Sequence, residues 1–178
     1  VMVFAAQDQV KIYGSKNLKD WRHLSDFGKH YGDHGGVWEC PDLFPLEMGD
    51  SKYWVLLLSI NPGGPNGGSA TQYFVGDFDG TNFILNADFK PLVEKDATGA
   101  EQAVWLDYGR DNYAGVTWSD LPKEDGRRIF LGWMSNWDYA TVVPTKTWRS
   151  AMTLPRVLSL YPSETGPKLR QQWVEELR

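Results

Sequence analysis

Tyr53-Trp54-Val55-Leu56-Leu57-Leu58 is a continuous apolar run, and Thr71-Gln72-Tyr73-Phe74-Val75-Gly76 follows it after Asn61-Pro62-Gly63-Gly64-Pro65-Asn66-Gly67-Gly68. Short apolar runs bounded by turn residues read as buried strands. The connection between them, with four Gly and two Pro, can be neither helix nor inner strand. The same pattern recurs outward in both directions. Val1-Met2-Val3-Phe4-Ala5 reads as strand, and Val10-Lys11-Ile12-Tyr13 alternates apolar with polar, as a half-buried strand does. Ala114-Gly115-Val116-Thr117-Trp118 and Arg128-Ile129-Phe130-Leu131-Gly132-Trp133-Met134 are further strand candidates, and Asp79-Gly80 and Asp125-Gly126 are hairpin signals between them. Helix evidence is thin. Asn17 to Trp21 suffices for one turn, and Lys168 to Leu177 suits helix or strand. The chain is predicted to be all-β.

A weak repeat refines that reading. Tyr13-Gly14-Ser15 leads to Leu18 and Trp21, Tyr73-Phe74-Val75-Gly76-Asp77 leads to Gly80 and Phe83, and Thr117-Trp118-Ser119-Asp120-Leu121 has a related form. Repeated sheet units favour propeller blades over a sandwich, although the spacing is uneven.

Composition excludes several classes. The 178 residues are 42% hydrophobic and 23% charged, which fits a globular domain and not a disordered segment. Eighteen basic against 23 acidic residues give a net charge of −5, so no general attraction to nucleic acid or anionic membrane is expected. No apolar stretch approaches the ~18 residues of a membrane helix. A single cysteine, Cys40, excludes an internal disulfide. His23, His30 and His34 lack zinc-site spacing, so neither a metal nor a cofactor is expected. Aromatic residues reach 14%, with nine Trp. Most of the tryptophans are expected in sheet cores, and some against flat apolar ligand faces.

The segment richest in chemistry is Gly35-Gly36-Val37-Trp38-Glu39-Cys40-Pro41-Asp42-Leu43-Phe44-Pro45. It sets one carboxylate in an apolar stretch. An apolar neighbourhood disfavours an ionised carboxyl, and a carboxyl kept protonated can donate its proton to a leaving group. The alternative is a surface Glu at a strand start with Trp38 and Phe44 in the core. Gly35-Gly36 permits close approach of backbone or ligand.

Trp38-Glu39-Cys40-Pro41-Asp42-Leu43-Phe44 resembles the acid/base motif of glycoside hydrolase family 32, the fructosidases that include invertase, inulinase and levanase. The Ser15–Leu18–Trp21 turn, Tyr73 to Gly80, Asp107 to Ala114, Gly132 to Tyr139 and Ser150 to Arg156 are similar to that family in the same order, over roughly residues 1–177. The resemblance implies a five-bladed β-propeller followed by a β-sandwich. It implies retaining hydrolysis by two carboxylates, with Glu39 as general acid/base. Cys40 follows the acid/base in the family as well. Trp133, Trp137, Asn136 and Asp111 are the candidate sugar contacts: the rings for the C–H face of a furanose, Asn136 and Asp111 for its hydroxyls. The Asn61–Gly68 loop is a candidate rim.

One departure is plain. The family's nucleophile lies in Asn-Asp-Pro-Asn-Gly and its transition-state-stabilising Asp in Arg-Asp-Pro, and neither string occurs here. Neither Asp42 nor Asp111 stands in a matching context. The expectation is a part of a longer protein: residues 1–165 as about two and a half blades of a propeller, and 166–178 as a linker toward a β-sandwich. Such a segment alone would be inactive, with the rest of its own polypeptide as its partner. Fructan (levan or inulin) or sucrose is the expected substrate. Secreted or periplasmic location follows from the resemblance alone. A fructosyltransferase on the same fold and a non-catalytic carbohydrate-binding propeller are the rival readings.

Overall fold

A computed structural model describes residues 1–178. It contains eleven strands: β1 (Met2–Ala6), β2 (Gln9–Gly14), β3 (Arg22–Phe27), β4 (Val37–Met48), β5 (Ser51–Asn61), β6 (Ala70–Phe78), β7 (Phe83–Leu85), β8 (Tyr113–Thr117), β9 (Arg128–Trp133), β10 (Arg156–Ser163) and β11 (Gly166–Trp173). The only helical elements are single 3-10 turns at Lys90–Leu92 and Glu175–Leu177. All strand pairs are antiparallel, in three sheets of order β1-β2-β3, β4-β5-β6-β7 and β8-β9-β10-β11. This is the blade pattern of a partial propeller: two sheets of four strands and one of three.

The middle sheet explains the decisive apolar run. It packs against a sheet on each side, β4 meeting β1 on one flank and β8 and β10 on the other. Its second strand therefore has no solvent face. Val55, Leu56, Leu57, Leu58 and Ile60 on β5 are all at most 1% exposed, and a strand buried on both faces reads as unbroken hydrophobicity. Phe74, Val75, Phe130 and Leu158 complete the same core.

β4 is a different kind of strand. It is twelve residues long and contains Pro41 and Pro45. Proline lacks the N–H a central strand must donate, and β4 tolerates two because it is an edge, pairing only with β5. Gly36, just before it, passes so close to Pro62 and Asn61 that a Cβ would collide with their backbone. The Gly-Gly pair thus serves chain-to-chain approach.

Three expectations change. Residues 166–173 do not leave the sheet as a linker: β11 pairs with β10 from Ser163↔Gly166 to Arg156↔Trp173. The third repeat copy is not equivalent to the others. Tyr13 and Tyr73 lie on β2 and β6, each next to an outermost strand, whereas Thr117 lies on the first strand of its sheet. Of the nine tryptophans only Trp38 is buried, and Trp118, Trp137, Trp148 and Trp173 are exposed. Aliphatic and Phe side chains fill the core.

Candidate active site

Strand alternation separates Trp38 from Glu39. Trp38 turns inward, 2% exposed, with its indole N–H donating to the Asp33 carbonyl at 2.8 Å and its ring stacked on His34 at 4.6 Å. Glu39 therefore turns outward on the other face. Its apolar sequence neighbour does not surround it, so the carboxyl environment is set by residues far away in the chain.

A bulge aims it. Glu39 pairs with Ser59 and Asp42 with Leu57, so β4 carries one extra residue between them. Cys40 takes the strain at φ +48°, in the left-handed region that non-glycine residues avoid. Bulges re-aim side chains and gather near active sites. β8 has a matching irregularity between Tyr113 and Val116, with Ala114 at φ +50°. The two bulges lie across one seam. Ala114 N–H donates to Ser59 Oγ at 3.0 Å. Thr117 donates twice to Asp42 Oδ2, from N–H and from Oγ1, each at 2.7 Å.

Across that seam the Tyr113 hydroxyl donates to Glu39 Oε2. Burial, then the adjacent Glu39 carboxylate, push the Tyr113 hydroxyl well above its ordinary range, so it stays a donor at any working pH. The Cys40 thiol is also pushed up, first by burial and then by the Glu39 charge.

A cavity of about 670 Å³ opens here, lined by Val37, Glu39, Cys40, Asn61, Tyr113, Ala114, Trp133 and Trp137. Glu39 is its only carboxylate. Tyr113, Trp133 and Trp137 form an aromatic wall, with ring centroids 6.3 and 5.1 Å apart in sequence along it. A second cavity, about 700 Å³, lies beside Arg156 and Trp173. There Arg156 pairs with Asp107 at 2.8 Å.

Of the five residues singled out from sequence, Glu39, Trp133 and Trp137 come together in the cavity. Asn136 does not reach it: it is 0% exposed and spends its carboxamide on loop backbone. Asp111 is not among the lining residues either. It accepts a hydrogen bond from the Tyr139 hydroxyl, and burial raises its carboxyl above the usual range despite Arg110. Tyr113 was missed. It stands in the Asp107–Ala114 segment that carried part of the resemblance, and an aromatic beside Asn112 at the head of an apolar run was the available signal.

The sequence pattern described as the Glycosyl hydrolases family 32 N-terminal domain matches residues 1–172. The chain belongs to glycoside hydrolase family 32. A levanase of Bacillus subtilis is 51% identical over 180 residues, covering 99% of this chain and 25% of the levanase. An extracellular exo-inulinase of Aspergillus niger is 46% identical over 176 residues, covering 97% of this chain and 31% of the relative. Among solved structures, exo-inulinase from Aspergillus awamori superposes with a TM-score of 0.82 at 43% identity, covering 94% of this chain and 32% of that one. A fructofuranosidase from Schwanniomyces occidentalis, complexed with fructosylnystose, gives 0.80 at 36% identity, over 97% of this chain and 32% of that one. The family 32 chain thus spans a third or less of these relatives, and all of β11 but its last residue falls within the matched domain. The partial propeller is the family's fold.

Proposed function

We propose that this family 32 chain forms the acid/base side of a fructan-hydrolysing active site, in which Glu39 protonates the leaving glycosidic oxygen and later takes a proton from the attacking water. The carrying observation is the bulge-mounted Glu39 with Tyr113 on one oxygen, in a cavity walled by Trp133 and Trp137. Tyr113 occupies Oε2, and Oε1 has no protein partner, which leaves Oε1 to carry the transferable proton. The rings offer apolar faces to a sugar's C–H groups.

A retaining glycosidase needs a second carboxylate ~5–5.5 Å from the first to form the covalent glycosyl intermediate. With one carboxylate in the cavity lining, the nucleophile in this reading comes from polypeptide outside these residues, and the 178-residue chain alone is inactive. The levanase and exo-inulinase relatives support terminal fructose of levan, inulin or sucrose as substrate. The relatives named extracellular support secretion.

The test is Glu39→Gln in the full-length protein. Hydrolysis of levan, inulin and sucrose should fall ~10²–10⁴-fold, the usual size of a general acid/base contribution. A variant that hydrolyses all three at the wild-type rate overturns the reading. Products from concentrated sucrose separate hydrolysis, with equal glucose and fructose, from transfer, with fructosyl oligosaccharides.

A further inference from the structure

Asn61 and Trp137 stand in the same cavity, but Asn61 ends β5 and Trp137 lies in the loop after β9, in different sheets. One buried junction connects them. Ser69 Oγ donates to Asn61 Oδ1 at 3.0 Å and accepts from the Trp137 backbone N–H at 3.1 Å. Ser69 is itself held by Asn136, whose Oδ1 accepts from Ser69 N–H at 3.2 Å and from Asp138 N–H at 2.9 Å. Asn136 Nδ2 is shared among the carbonyls of Arg110 at 2.6 Å, Gly67 at 3.2 Å and Ser69 at 3.3 Å. Three loops meet at one amide.

The junction is buried and tightly built. Ser69 is 3% exposed and Asn136 0%. Gly68 runs at φ +65°, and a Cβ there would collide with the Asn136 carboxamide, so this loop fits over the amide only as glycine. Buried polar groups satisfied at this density hold a single geometry, because each broken bond strands a desolvated partner. The exposed Arg110–Asp138 pair beside it adds little by comparison.

We infer that Ser69 and Asn136 are positioning residues that fix the separation of Asn61 and Trp137 across the cavity and thereby set substrate affinity, leaving turnover to Glu39 and Tyr113. This rests on the proposed fructan-hydrolase reading for its kinetic consequence, but not for the positioning itself. Neither residue touches the cavity; Ser69 acts through Asn61 and Trp137, and Asn136 acts through Ser69.

Asn136→Ala strands several backbone groups and threatens folding, so the informative variant is Ser69→Ala, which removes one hydroxyl and keeps the backbone bonds to Asn136. In the full-length protein, Ser69→Ala should raise KM for inulin or sucrose about five- to thirtyfold, the effect of the two buried hydrogen bonds its hydroxyl makes, with kcat within twofold. In a Trp137→Ala background the same change should raise KM by clearly less, since contacting partners are non-additive. Acrylamide quenching of tryptophan fluorescence should rise in Ser69→Ala, and this rise should vanish in the Trp137→Ala background. An unchanged KM, or equal KM effects in both backgrounds, overturns the affinity role. Unchanged quenching overturns the positioning role. A wild-type protein inactive on every fructan and on sucrose sinks the functional reading instead, and quenching still decides the positioning.

Discussion

The Tyr113 hydroxyl donates to the Glu39 carboxylate across the seam between two sheets, from a position 74 residues further along the chain. Neither strand could place this pair without its bulge. Tyr113→Phe keeps the ring against Trp133 and deletes only the donor. A hydrogen bond to a charged group contributes about 1.5–3 kcal/mol, so kcat/KM of the full-length protein should fall ~10–100-fold while the thermal midpoint moves by a few degrees at most. An unaltered kcat/KM would show that the hydroxyl does not serve the carboxylate.

Cys40 provides a chemical probe of the same neighbourhood. Its thiol is pushed up by burial and by the Glu39 charge, and only the thiolate alkylates. Iodoacetamide should therefore label Cys40 more slowly than glutathione at neutral pH, with the rate climbing as the solution is made alkaline. Labelling as fast as a free thiol at pH 7 would contradict the environment described.

Tyr73 predicts a pH dependence of stability. It is 4% exposed, and burial pushes its hydroxyl up to about 12, against an opposing effect from the Leu169 N–H that donates to it. Because the folded value lies above the unfolded ~10, the stabilisation is complete below pH ~10 and is lost as pH rises through about 12. Urea midpoints should drop between pH ~10 and about 12, and Tyr73→Phe should flatten that drop. Parallel curves for the two proteins would refute the assignment to Tyr73.

Arg156 ties the last strands to the loop before β8. It donates to Asp107 Oδ2 and Gln171 Oε1, both at 2.8 Å, and lies over the Trp173 ring at 5.3 Å. Removing one partner of a buried pair costs ~3–5 kcal/mol, and this pair retains some exposure. Arg156→Ala should therefore destabilise by up to about 3 kcal/mol, read from denaturant unfolding. A change below about 0.5 kcal/mol, typical of surface sites, would mean that the pair is fully solvated in solution.

Sequence showed most clearly what burial dictates. β2, β5, β6, β8 and β9 carry apolar runs or alternation because at least one face is covered. β4 was legible at its start, as a surface Glu39 with Trp38 and Phe44 in the core, but its length was masked by Pro41 and Pro45, which an edge strand accepts. β11 was hidden by Lys168, Arg170, Gln171 and Gln172, since an outer strand has little to bury. The site followed the same division. Glu39, Trp133 and Trp137 stand in motifs that resemblance identified, whereas Tyr113 acquires its role only from a partner on another sheet. Asn136 misled for a physical reason: a carboxamide that could bind sugar hydroxyls satisfies loop carbonyls and N–H groups equally well, and only its burial tells the two apart.

Cys40 and Ala114 both hold left-handed backbone in the cavity wall, at about 1–2 kcal/mol each for a residue with a Cβ. Glycine would relieve that cost at either place and would also free the backbone that aims Glu39 and Tyr113. Directed evolution for heat resistance should therefore find glycine at these two positions attractive, and should lose hydrolysis when it takes them. The least stable links of the wall are where stability and activity select for opposite residues.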